Sequence, residues 1–363
     1  MAANKYRAGE LYQITGLPKR MKMGKQSSDL IDNETLIGIE VEVESFSLNE
    51  SLYRYGWTDK DDGSLRNGIE FTFNGPMSGE AAVDAMRAIC DPSILVHNSS
   101  PRAGTHIHVD WLDVEEVESV YRVAVIAAVI EPAIYECVSR ERAYNTFVQP
   151  HMKTGLRDLC RVLSRGDTAG MVDYLHNTSR YRGTNLNALA RFGSVEFRYF
   201  PAISTYQELL SWANLCLMMK RAAVGVTAGM SAGEVASMLA DKDRLVAFMK
   251  DNFEEMGWGL RLSSAIDVGA AVRAARMLAI ASKGENVVRS FQYAGSASAC
   301  AFIDKATGRS TTPTRVSVES SQVFTDMEQL IAALDQTEVA INQSALQERM
   351  ARLGRETFNG SEF

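Results

Sequence analysis

The stretch "LIGIEVEVESF" at 36–46 alternates Ile39, Val41 and Val43 with Glu40, Glu42 and Glu44. Only an extended chain sorts such residues, because successive side chains of a strand point to opposite faces. The stretch therefore reads as a strand with one aliphatic face and one carboxylate face. The same division recurs three times. In "IEFTFNGP" (69–76) Glu70 opposes Phe71 and Phe73, and Pro76 ends the run. In "GTHIHVDW" (104–111) His106, His108 and Asp110 share a face. In "SVEFRYF" Glu196 and Arg198 oppose Phe197 and Tyr199.

These strands fall in the first 200 residues and helical patterns dominate afterwards. The order is not βαβα. It predicts the α+β class, an antiparallel sheet with segregated helices, over a doubly wound parallel sheet. Residues 1–35 read as an N-terminal arm with a basic patch from Lys19 to Lys25. Residues 36–322 form the body and 323–363 a C-terminal helical extension. "DKDDGSLRNG" (59–68) carries the turn signals Asp-Gly and Asn-Gly. Ser78 is placed to cap a helix. Asp113 is placed to cap a long one that reaches about residue 140 and kinks at Pro132. Two shorter helices follow between 153 and 177. Residues 184–200 read as a hairpin turning at Phe192–Gly193–Ser194. Helices run from Thr205 to about Lys283, broken at Gly257–Gly259. The 285–322 segment carries weak strand signals, and a last helix spans about 324–353.

Composition excludes some functions. A net charge of −7 and a pI near 5.4 argue against broad nucleic-acid binding, which needs a basic footprint. The most apolar run, "VYRVAVIAAVIEPAIYECV", is interrupted by Arg122, Glu131 and Pro132, too polar to cross a bilayer. The five cysteines are scattered without metal spacing. They read as reduced and mostly buried, as in a cytosolic protein. "MAANKYRAGELYQ" lacks the apolar core of a secretory leader.

Each polar strand face, taken singly, fits the wet side of a half-covered sheet. Together they hold glutamate, histidine and one arginine, where a wet face mixes Lys, Thr, Ser and Arg. Neighbouring same-face carboxylates sit ~7 Å apart along a strand. They repel by ~2.4 kcal/mol at an effective dielectric of ~20. On a concave face such a cluster needs cations to stay ionised. Mg²⁺ suits carboxylate oxygens, Mn²⁺ also accepts imidazole, and the zinc pattern is weak. The arginine beside them points to nucleotide phosphates. Neither GxxxxGK[ST] nor a GxGxxG after a strand occurs.

In order, "GIEVEVE", "DGSLRNGIEFTFNGP", "AGTHIHVD", "RYRGTNLNAL" and "SVEFRYF" resemble the amidoligases of phages and bacteria. That family is grouped with glutamine synthetase and glutamate–cysteine ligase as carboxylate–amine/ammonia ligases. The resemblance covers roughly 36–215. It implies a glutamine-synthetase-like, partly closed antiparallel sheet, with helices outside and a concave face holding ATP and two or three Mg²⁺ or Mn²⁺ ions. It makes Glu40, Glu42, Glu70 and Glu196 metal ligands, His106 a metal- or ATP-proximal residue, and Arg198 a phosphate contact. Arg180, Arg182 and Asn185 become nucleotide- or substrate-binding residues, and Glu70, Glu196 and Arg198 the catalytic set. It leaves Glu44 and His108 open between a supporting role and simple solvation, and Asp62 and Ser64 between substrate contact and plain turn. Ala103 departs from the cysteine that many relatives carry, which the chemistry does not need. The implied reaction phosphorylates a small-molecule or peptide carboxylate and lets an amine displace the phosphate. It would take place in the cytoplasm, that of the host if phage-encoded. Nothing in the chain demands an oligomer. A metal-dependent phosphoester hydrolase and a non-enzymatic structural protein that keeps the sheet are the alternatives.

Overall fold

The computed structural model describes residues 22–283, apart from 50, 99, 115, 139–141, 144, 146–147, 152–155, 166–173, 176–177 and 255–261. The expected helix at 324–353, the 285–322 segment, the Gly257–Gly259 break and the arm before residue 22 lie outside the described residues.

The alternating stretch forms β1 (Ile37–Leu48). Its odd face buries Ile37, Ile39, Val41 and Val43. It lies within a seven-stranded sheet with β2 (Trp57–Lys60), β3 (Gly68–Phe73), β4 (Leu95–Asn98), β5 (Gly104–Asp110), β6 (Thr184–Asn185) and β7 (Ser194–Pro201). The order is β2-β3-β1-β5-β7-β6, with β4 beside the far end of β1. Every pairing is antiparallel. Among the described residues β2 and β6 end the order unpaired to each other, so the sheet is open where partial closure was expected.

Register aligns the polar face. Glu42 pairs with Glu70 and Glu40 with His106. His108 pairs with Glu196, and Glu196 with Asn185. A one-residue slip of any strand would send its polar residues into the core. Phe71, Phe73, Ile107, Val109, Phe197 and Tyr199 are buried on the opposite face.

Helix α1 (Gly79–Ile89) begins where expected, but the Ser78 hydroxyl does not cap it. The segment after residue 22 is tied to α1 and its flank. The Gly24 amide donates to Ser78 O, and Asp29 accepts from Arg87 and from the Tyr206 hydroxyl, each at 2.7 Å. Helix α2 (Glu118–Val138) is apolar on nearly all sides and buried, and it runs on past Pro132. Asp113 does not cap it. The helix starts five residues later, and Asp113 instead holds the buried Lys220 Nζ at 2.7 and 2.9 Å. The 184–200 hairpin is also different in kind. β6 has two residues, and a helical turn, Asn187–Phe192, joins it to β7. Gly193 ends that turn at φ 69°, where a Cβ would stand 2.5 Å from Leu112. Strands β2 and β4 were not foreseen; β2 is fixed by Trp57, whose ring packs on Phe73 at 4.6 Å. After Thr205 the described chain is helical, with caps at Thr205, Ser231, Asp241 and Asp267. Among the described residues no helix is long and apolar enough to cross a membrane.

Glu131, buried in α2, is bonded inside the protein. Glu131 accepts from the His151 amide and from the Tyr199 hydroxyl, and Tyr199 also bonds Thr184 Oγ1 at 2.6 Å. This network fixes the 148–151 segment and β6 from beneath the sheet. His151 is fully buried, and burial, with the nearby Arg182 charge, pushes its imidazole down to about 3. The folded state thus keeps it neutral, while the unfolded chain takes up a proton below about 6.5. The stability this group contributes is complete above pH ~6.5 and is lost as pH falls toward 3. Urea unfolding of His151→Gln is expected to show a shallower loss between pH 6.5 and 4, by up to ~1.4 kcal/mol per pH unit. An unchanged slope would remove His151 from the acid response.

Candidate active site

The carboxylate face of the sheet forms the floor of a cavity of about 360 Å³. Glu40, Glu42, Glu70, His106, Glu196 and Arg198 all line it, as do Asn185 and Arg180. These residues come from five strands and the loop before β6. His106 is at the centre. Its Nδ1 lies 3.1 Å from Glu40 and 3.7 Å from Glu196, and its Nε2 lies 3.8 Å from Glu42. Glu42 is fixed by the Gly104 amide, which donates to its Oε2 at 2.7 Å. Glu196 accepts from Asn185 Nδ2 at 2.5 Å and pairs with Arg198.

Two sets of donor atoms are close enough to share an ion. Glu40, His108 and Glu196 form one, and Glu42, Asp62 and Glu70 the other. Within each set the donor atoms lie within 4.8 Å of one another. The first set is oxygen and imidazole, which accepts Mn²⁺ or Mg²⁺; the second is all oxygen, the preference of Mg²⁺. The donor sets therefore fit divalent cations.

Electrostatics separate the carboxylates. Burial raises Glu40, but hydrogen bonds and charge from His106 and His108 outweigh it and hold the group well below its ordinary value. Burial also raises Glu196, and the Arg198 charge, with help from His108 and His106, brings it down. Glu70 goes the other way, to about 7, through burial and the charges of Glu40 and Glu42, although Lys60 Nζ stands 2.6 Å away.

Several residues take places that their sequence position leaves undecided. His108 lines the cavity and bonds Ser194 Oγ at 3.0 Å. Asp62 and Ser64 line it too. Glu44 does not; it ties two loops together, accepting from the Arg66 amide and from Ser100 Oγ. Arg182 is buried away from the cavity, where it bonds the Tyr174 hydroxyl at 2.9 Å and Asp158 at 3.1 Å. Sequence reasoning missed Lys60, Arg102, Arg142 and Arg191, which also line the cavity. Lys60 had a usable signal in the alternation of Trp57–Lys60 next to a known strand. Arg142, pulled down to about 10 by burial against the Glu42 charge, follows α2 with no local pattern to mark it.

Comparison with curated proteins finds no match. The strands that bring Glu40, Glu42 and Glu70 precede residue 80, so their place in the site rests on the geometry above. Over residues 80–220, which hold His106, Asn185, Glu196 and Arg198, the chain matches the family described as "putative amidoligase enzyme", and by that match this segment is of amidoligase type.

Proposed function

We propose that the protein is an ATP- and divalent-metal-dependent carboxylate–amine ligase. One observation carries the reading: Glu40, Glu42, Glu70, His106 and Glu196 converge on one cavity with Arg198 beside them, and the four glutamates, completed by His108 and Asp62, form two sets fit for cations. A wet sheet face would splay these groups into solvent; here Glu42, Glu70, His106 and Glu196 are buried. The cavity also presents six Lys and Arg side chains against five carboxylates. That balance suits a polyanion once cations neutralise the floor.

When bound, Mg²⁺ and ATP would supply phosphorylation of a substrate carboxylate to an acyl phosphate, which an amine converts to an amide. The chain's own residues do the rest. Glu40, Glu42, Glu70, His106 and Glu196 would hold the ions. Asn185 and Arg198 fix the Glu196 carboxylate, so that its donor atoms are aimed before any ligand arrives. Arg198 faces the transferred group and offsets negative charge developing there. The acidic floor attracts an ammonium and offers a carboxylate to take its proton. Arg180 and Asn185 stand at the β6 side for nucleotide or substrate. We place the reaction in the cytoplasm.

The test is a carboxylate-by-amine screen read by ADP release and by mass of the product. ADP is expected only with Mg²⁺ or Mn²⁺, a carboxylate and an amine together. Failure to bind any nucleotide in the presence of Mg²⁺ would overturn the reading. Phosphate-ester cleavage without ATP would favour a hydrolase instead.

A further inference from the structure

Glu44 stands where β1 changes neighbours. On one edge β1 pairs with β5 up to Val41, which faces Thr105, and with β4 from Glu44 onward, which faces Asn98. The chain that joins β4 to β5 therefore leaves the sheet beside Glu44. On the other edge Glu44 pairs with Gly68, the first residue of β3, just after the loop that carries Asp62 and Ser64. Its carboxylate lies between these two crossings, with 12% of the side chain exposed.

It bonds both. The Arg66 amide donates to Oε1, and the Ser100 hydroxyl donates to Oε2 at 2.6 Å. Arg102 Nε lies 3.7 Å from Oε1, and Arg102 Nη2 donates to Ser64 O, so the two segments also hold each other. The Ser100 hydroxyl accepts in turn from the Arg102 amide at 3.2 Å. The backbone is bent to allow this. Ser45 (φ 51°) and Asn67 (φ 49°) are the non-glycine residues with left-handed backbone among the described residues, and each follows one end of the Glu44–Arg66 bond. The Ser45 amide donates to Asn67 O at 3.3 Å. L-residues keep that conformation where their surroundings over-determine it. A Cβ at Gly68 would stand 2.5 Å from Val43 O and 3.1 Å from Glu44 Cγ, so glycine lets the strands close here.

Asp62, Ser64 and Arg102 line the cavity. Asp62 is the one member of the Glu42–Asp62–Glu70 set that comes from a loop, and the Glu40–His108–Glu196 set takes nothing from either segment. We propose that Glu44 is a positioning residue: it locks the 62–67 loop and the 100–102 segment into one wall of the cavity, and thereby holds Asp62 within ion-sharing distance of Glu42 and Glu70. The inference rests on the ligase reading for the ion at that set; the wall itself needs no ligand.

The experiment follows amide hydrogen exchange in the metal-free, full-length protein, and Mn²⁺ binding by electron paramagnetic resonance. In Glu44→Ala, exchange across 62–67 and 100–102 is expected to rise by about tenfold or more, as for loss of a charged hydrogen bond, while β5 and β7 exchange as in the native protein. One bound Mn²⁺ should weaken by about 10–100-fold and the other should hold. That is the pattern expected of Asp62→Asn, which alters the donor itself; a general loss of structure would move both ions. Glu44→Gln keeps an oxygen for the Arg66 amide and a polar contact for Ser100, and should restore most of the protection. Ser100→Ala frees the far segment alone. It should loosen 100–102 and weaken the same ion in part, and it decides the matter if Glu44→Ala does not fold. The proposal is overturned if both segments exchange as in the native protein, if the two ions weaken together, or if neither does. A native protein that binds no Mn²⁺, but whose two segments loosen together in Glu44→Ala, would sink the ligase reading and leave the wall standing.

Discussion

Glu196→Gln is expected to lose ADP-forming turnover by about 10²–10³-fold while the protein stays folded. The residue is 5% exposed and contacts Asn185, Arg198 and the His106 ring, of which Arg198 takes it as counter-ion. Burial favours its neutral form, but the cations around it prevail and its carboxyl is held low, so the native group is ionised at neutral pH. Glutamine keeps the shape and removes the charge. It turns one acceptor oxygen into a donor that faces either the Asn185 amide or the Arg198 guanidinium, and it leaves Arg198 without its counter-ion. It also takes one of three donors from the Glu40–His108–Glu196 set, worth about 10–100-fold in ion affinity. Manganese binding followed by electron paramagnetic resonance separates that part from the loss of turnover. Activity within threefold of native, in a folded variant, would remove Glu196 from the chemistry.

The second large effect concerns stability. Arg122→Met is expected to cost roughly 3–5 kcal/mol, the usual result of breaking a buried charged network. Arg122 is fully buried in α2. Its Nε donates to Ala223 O at 2.7 Å and its Nη1 to Met230 O at 2.8 Å, and it pairs with Glu116. The first carbonyl belongs to a wide π-helical turn, Ala222–Val226. Such turns leave carbonyls without the regular helical partner. Thr227 Oγ1 supports Ala222 O and Ala223 O at 2.8 and 3.2 Å, but Met230 O has no such side-chain donor besides Arg122 among the described residues. Methionine fills the volume and satisfies neither carbonyl. Urea unfolding measures the loss directly, and a change below ~1 kcal/mol would show that water replaces the guanidinium.

The sheet face was legible because a strand carries its own period. Glu40, Glu42, Glu70, His106, His108, Glu196 and Arg198 could be assigned to one side from spacing alone, and the register then joined them. What the period does not encode was lost. Asp113 has the chemistry of a cap, and only the distant Lys220 shows that it serves an ion pair. Gly193 marks a reversal, but not whether a tight turn or a short helix precedes it. Lys60 sits in a run dense with turn signals that mask a four-residue strand. Arg182 stands two residues before β6 begins at Asn185's neighbour Thr184, so strand alternation gave it no direction, and Tyr174 and Asp158 set one. Arg142 reaches the cavity from beyond α2, through space and not through pattern.

The strand order has a consequence for the timing of synthesis. β1 lies between β3, its near neighbour in the chain, and β5, which in turn needs β7; 86 residues separate His108 from Ser194. Glu42, Asp62 and Glu70 can meet early, from a nascent chain that has not reached β7. Glu40, His108 and Glu196 meet only after β7 has left the ribosome and closed a long loop, the slow kind of pairing. A growing chain therefore assembles this pocket in two stages, and its second donor set is complete only when β7 docks.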